Sequence, residues 1–174
     1  MPEETIVVLM GSPRDLSFAA KIKDFLKKEK FSISCVYNVA SAHRTPEKLL
    51  NDLKENENSG ASIVYITVAG LSDALSGVVA GSTIYPVIAC PPDSETHGNA
   101  KIFSSTAMPK GIPVTFVAKP ENAALAAVRI FALTNPELKE QLDKLKQKMV
   151  KAVYDGAQEV KKITKKKDVN RLAV

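Results

Sequence analysis

Three short runs constrain the fold more than any other feature of the chain: the largely apolar Thr5 to Met10 (TIVVLM) and Ala61 to Val68 (ASIVYITV), and the β-branched and aromatic Phe31 to Val39 (FSISCVYNV). The first two fit strands buried on both faces, as in a parallel sheet covered by helices on either side, and the third is a strand by its β-branched and aromatic content. Between them the apolar period becomes helical. Leu16 to about Lys28 carries Phe18, Ala19, Ile22, Phe25 and Leu26 on one face, and Pro46 to about Glu57 carries Leu49, Leu50 and Leu53 before Asn58-Ser59-Gly60 stops it. The order β-α-β-α-β predicts a single-domain, three-layer α/β/α fold with a doubly wound parallel sheet, flavodoxin-like or Rossmann-like. Right-handed crossovers put the loops after each strand on one rim.

Pro86 to Ala89 reads as a fourth strand, broken by Cys90-Pro91-Pro92, and Val114 to Ala118 as a fifth. Between them DSETHGNAKIFSST is the longest polar connection, and it holds His97, which reads as a loop residue rather than the chemical centre. The next helix, about Pro120 to Leu133, includes Ala123, Ala124, Leu125, Ala126, Ala127, Val128, Ile130 and Phe131 and has almost no polar face. One small sheet cannot cover such a helix all round, so close packing in a homo-oligomer is expected. A last, long helix from about Pro136 to near Val160 places Leu138, Leu142, Leu145, Met149, Val153, Ala157 and Val160 at near-heptad spacing, suited to packing along a partner chain. Residues 1–160 are expected to form the domain and 161–174 a basic tail.

With 174 residues, 45% of them hydrophobic and 25% charged, one domain can bury a substantial core without metals or disulfides. Cys35 falls inside a strand and Cys90 at the end of another, with no CxxC spacing, so they read as buried thiols of a reducing compartment. The acidic start, Met1-Pro2-Glu3-Glu4, runs straight into a strand and resembles no targeting segment, and no apolar run reaches membrane-spanning length. A cytoplasmic location with no membrane partner is expected. The formal charge of +5 invites a nucleic-acid reading, but much of the excess lies in Lys161, Lys162, Lys165, Lys166, Lys167 and Arg171, where no aromatic residue offers a base-stacking surface. No nucleic-acid partner is expected.

The candidate site lies in the loops after the first three strands. Gly11-Ser12-Pro13-Arg14-Asp15 joins the first strand to a helix, where backbone donors and the helix dipole favour an anion. Ser12 can add a hydroxyl, and Asp15 can cap the helix or accept from sugar hydroxyls. The stretch is neither a Walker loop nor a dinucleotide fingerprint. After the second strand comes Ser41-Ala42-His43-Arg44-Thr45-Pro46, which sets an imidazole able to move a proton near neutral pH beside a planar cation suited to phosphate or carboxylate. Ala69-Gly70-Leu71-Ser72-Asp73-Ala74-Leu75-Ser76-Gly77 follows the third, with glycines that admit a ligand close to the backbone.

Taken together and in order, these pieces resemble the PurE family of purine biosynthesis from about Ile6 to Leu133. The family's GSxSD-like loop corresponds to GSPRD, its SAHR is complete at Ser41 to Arg44, and its glycine-rich loop starts at Ala69-Gly70. An S-S-x-x-x-P-x-G segment appears at Ser104 to Gly111 and an N-A-A-L-x-A helix at Asn122 to Ala127. Arg14 stands where the family usually has serine.

The resemblance implies a small ribonucleotide substrate, 5-aminoimidazole ribonucleotide (AIR), carboxylated at carbon 4 to 4-carboxy-AIR (CAIR). It implies His43 as catalytic base, Arg44 and the Gly11-Ser12 loop at the 5'-phosphate, Asp15 at the ribose, Ser41, Ala42 and Gly70 around the base, and Ser72 as a further substrate-binding residue. Carbon dioxide is the implied co-substrate, with no cofactor, ATP, metal or biotin, and the assembly an octamer or a tetramer. The mutase branch, which rearranges N5-carboxy-AIR, has an AGGAAHLPG-like loop with histidine where this chain has Ala74. AGLSDALSG and Cys90-Pro91-Pro92 look like the branch that carboxylates AIR directly. The alternatives are the mutase and, more remotely, a non-enzymatic nucleotide-binding module; for a phospho-receiver of that class the chain lacks the acidic cluster.

Overall fold

The computed structural model describes residues 3–92 and 102–171, so His97 lies outside the described residues. Five parallel strands, β1 (Glu4–Met10), β2 (Ser34–Val39), β3 (Ser62–Val68), β4 (Val87–Ala89) and β5 (Thr115–Phe116), form one sheet in the order 2-1-3-4-5. Helices α1 (Leu16–Lys28), α2 (Pro46–Asn58) and α3 (Ala74–Ser82) follow the first three strands. The alanine-rich helix (Pro120–Phe131) and the C-terminal helix (Pro136–Arg171) complete the chain. This is the flavodoxin-like, doubly wound sheet expected from the apolar runs.

Alternation along the strands divides the core in two. Ile6, Val8, Met10, Val64, Ile66, Val68 and Ile88 face α1, the alanine-rich helix and the root of the C-terminal helix. Val7, Leu9, Ile63, Tyr65 and Val87 face α2 and α3. Both faces being covered, a strand-length run needs few polar residues, which is why Ile6 to Met10 and Ile63 to Ile66 run without a charged or alternating polar position. Cys35 and Cys90 are free thiols inside this core.

Two expectations need correction. Ala123, Ala124, Ala127 and Val128 are fully buried within one chain, packed against α1 and the sheet, while Asn122 and Arg129 face outward. The alanine-rich helix is therefore covered largely by its own subunit: small side chains allow it to seat closely on α1, and its polar residues, though few, fall on one side. The C-terminal helix also runs past Val160 to Arg171, since no glycine or proline interrupts that stretch. No described helix is long and apolar enough to cross a membrane.

A candidate active site at the strand ends

Register brings the loops together. Met10 pairs with Val39 on one side and Val68 on the other, so β1, β2 and β3 end at the same level. In a 2-1-3-4-5 sheet the chain reverses direction of growth between β1 and β3, and the crevice outside those two strand ends is where ligands bind in such folds. Here it is a cavity of about 750 Å³.

Its walls are Gly11 to Asp15, Ser41 to Arg44 and Ala69 to Leu75, which places every residue singled out from the sequence, Gly11, Ser12, Asp15, Ser41, Ala42, His43, Arg44, Gly70 and Ser72, around one space. A smaller cavity of about 380 Å³ at the other end of the strands has Glu3 as its sole titratable lining residue. The chemistry-bearing side chains converge on the first.

Each wall is fixed by local bonds. Gly11 donates its N–H to the Val68 carbonyl at 2.9 Å, and a Cβ there would come within 3.2 Å of the Ala69 Cβ, so the two loops approach this closely because residue 11 has no side chain. Ser12 accepts from the Arg14 N–H at 3.3 Å. Asp15 makes no side-chain cap on α1, so of its two proposed uses the capping one is not realised. Across the cavity, Ser41 Oγ accepts from the Arg44 N–H at 3.2 Å, and the Ser41 N–H donates to Thr45 Oγ1 at 2.9 Å. These bonds fold SAHRT into a tight turn that presents His43 and Arg44, both solvent-exposed, to the cavity. Arg44 Nη2 donates to the Gly11 carbonyl at 3.4 Å and so links the first two walls.

The third wall carries features that the sequence reading missed. The Ala69 to Gly77 stretch is loop as far as Asp73 and a glycine-containing helix entry from Ala74, where α3 begins. Leu71 and Asp73 both hold left-handed backbone, with φ of 57° and 42°. Non-glycine residues there cost about 1–3 kcal/mol each and persist where surrounding structure holds them. Asp73 is 2% exposed; its carboxylate accepts from Ser76 Oγ at 3.0 Å, from the Ser76 N–H at 3.4 Å and from Ser105 Oγ at 2.5 Å. An aspartate three residues before Ser76, ahead of an apolar stretch, was the available signal for this cap.

The chain aligns with known proteins over most of its length. Phosphoribosylaminoimidazole carboxylase of Archaeoglobus fulgidus is 43% identical, across 89% of this chain and 84% of that protein. N5-carboxyaminoimidazole ribonucleotide mutase of Methanocaldococcus jannaschii is 41% identical, across 92% and 99%. The crystal structure of Treponema denticola PurE matches with a TM-score of 0.83 at 38% identity, covering 88% of this chain and 96% of that one. The family model described as AIR carboxylase matches residues 5–152. With the fold, the order of the loops and the sequence all in agreement, the chain belongs to the AIR carboxylase family, the PurE enzymes of purine biosynthesis.

Proposed function

We propose that this chain is a direct AIR carboxylase, joining carbon dioxide to carbon 4 of AIR to give CAIR. The observation that carries the reading is the composition of the cavity wall: among the described lining residues His43 is the sole imidazole, and Ala74 occupies the place where the mutase branch has its loop histidine. Relatives at similar identity carry both names, so overall similarity does not choose between the branches. The loop does.

The chemistry asks little beyond alignment and one base. Donation from the 5-amino group makes carbon 4 nucleophilic; its electron pair forms the new C–C bond while a C=O π pair of carbon dioxide moves to oxygen. His43 then takes the proton left on carbon 4, and the ring regains its aromaticity. Because the ring supplies its own electron pair, the step as written needs no ATP, metal or biotin. Arg44 and the Gly11-Ser12 loop hold the 5'-phosphate, Asp15 the ribose hydroxyls, and Ser41, Ala42 and Gly70 the base, with Ser72 lining the same cavity.

A paired assay tests the branch. Purified protein should consume AIR with dissolved carbon dioxide and without ATP, and should turn over N5-carboxy-AIR slowly or not at all. Rapid conversion of N5-carboxy-AIR with no use of AIR plus carbon dioxide would make it a mutase.

A further inference from the structure

Asp73 belongs to no role discussed so far, yet it combines three unusual properties at the cavity wall. It is a buried carboxylate, 2% exposed; its backbone is left-handed, with φ of 42°; and it joins two parts of the chain far apart in sequence. One bonded partner, Ser76, lies in the first turn of α3, and the other, Ser105, in the helical stretch 102–106; both are fully buried. The Asp73 N–H also closes a turn onto the Gly70 carbonyl at 3.4 Å, with Leu71 left-handed inside that turn. The backbone path of Gly70 to Ala74 is thus anchored at its far end by one side chain.

We propose that Asp73 is a positioning residue: its carboxylate, tied to Ser76 and Ser105, holds the Gly70–Ala74 wall in the conformation that seats the reacting ring against His43. Ser105, the second serine of the S-S segment, is the external post of that tie. A carboxylate suits the place because it accepts several hydrogen bonds at once and because aspartate enters left-handed backbone more readily than most residues. Small displacements of a wall that aligns reactants cost about 100-fold in rate.

The kinetic arm of the test rests on the functional reading above; a second arm does not. Three variants separate conformation from bonding. Asp73→Gly accepts the positive φ without strain and replaces the helix cap at little cost, but it has no carboxylate. Asp73→Asn keeps an acceptor and adds a donor that Ser105 Oγ can receive. Ser105→Ala leaves Asp73 and its cap intact and removes one tie. Asp73→Gly and Ser105→Ala should lose roughly 10- to 100-fold in kcat with KM for AIR changed less than about threefold, and Asp73→Asn should stay within about threefold of wild type. Amide hydrogen exchange, measured without substrate, should speed up across 70–75 in the first two variants and not in the third, with the strands unchanged. Wild-type kinetics in folded Asp73→Gly, or unchanged exchange in Ser105→Ala, would overturn the proposal; should Asp73→Gly not fold, Ser105→Ala decides alone. Wild-type protein inactive on both AIR and N5-carboxy-AIR would sink the functional reading instead, leaving the exchange result to stand on its own.

Discussion

His43 and Arg44 are neighbours in sequence, yet substitution should separate their effects cleanly. His43→Asn keeps a polar side chain in the turn braced by Ser41 and Thr45, so nucleotide binding should hold within a few-fold while turnover falls ~100- to 10,000-fold, the usual loss for a general base. Arg44→Ala should raise KM above all, because a charge-assisted phosphate contact forms in ground and transition states alike. Steady-state kinetics on the two variants checks both, and a collapsed kcat with unchanged KM for Arg44→Ala would count against its phosphate role. The buried thiols make a second residue-scale prediction. Burial pushes Cys35 up from 9.0 to about 11, against a smaller pull from Lys23, and burial with the nearby Glu121 pushes Cys90 up to about 12. The folded protein then keeps protons that the unfolded chain gives up, so these thiols contribute stability in full below about pH 9 and lose it as pH rises towards their folded values. Thermal midpoints should be flat approaching pH 9 and fall above it, and Cys90→Ala should make that fall shallower.

At the scale of elements, α3 illustrates how a glycine's surroundings decide its replaceability. Gly77 lies inside this helix, and a Cβ there would meet only Met108 Cε and Sδ, at 3.2 Å, the far end of a flexible side chain. Alanine is favoured over glycine in a helix by about 1 kcal/mol, which offsets the shift asked of Met108. Gly77→Ala should therefore lie within about 0.5 kcal/mol of wild type or above it in denaturant melts. Gly11 faces the opposite situation, since its neighbour at 3.2 Å is Ala69 Cβ, carried on backbone at the end of β3. Gly11→Ala should cost about 1–3 kcal/mol and widen the gap between the first and third walls of the cavity.

Across the whole molecule, large apolar side chains stand in solvent: Ile84 at 93% exposure, Leu133 at 84%, Leu71 at 77% and, on the C-terminal helix, Val153 at 73%. Tyr154, Val160 and Ile163 are likewise exposed on that helix. We propose that a homo-oligomer, an octamer or a tetramer, covers these side chains. Light scattering should give a stable multiple of the 18.8 kDa chain; a fully active monomer would refute this. Because Ala124 and Ala127 lie in the core of a single chain, glutamate there would test folding rather than assembly. Val153→Glu together with Val160→Glu is the informative change, expected to alter the oligomer while the circular dichroism of the sheet domain persists.

The strands, the first two helices and the rim of candidate residues were legible in the sequence because each rests on a local regularity: an apolar run, a helical period, a proline at a helix start. Helix α3 shows no such regularity, because its glycines and serines lack that period, so composition suggests a helix entry there without deciding it; contact with α2 and the sheet makes it a helix. Likewise, the polar face of the alanine-rich helix is too small to see in composition, and only its seat on α1 shows which side is inside. His43, Arg44 and Ser12 stand out as candidates in the sequence because proton transfer and anion contact are capacities of residue type, visible in short motifs. That Gly11 touches Ala69, that Arg44 reaches back to Gly11, and that Asp73 ties Ser76 to Ser105 were decided by tertiary structure, because such contacts join segments whose distance in the sequence says nothing about their distance in space.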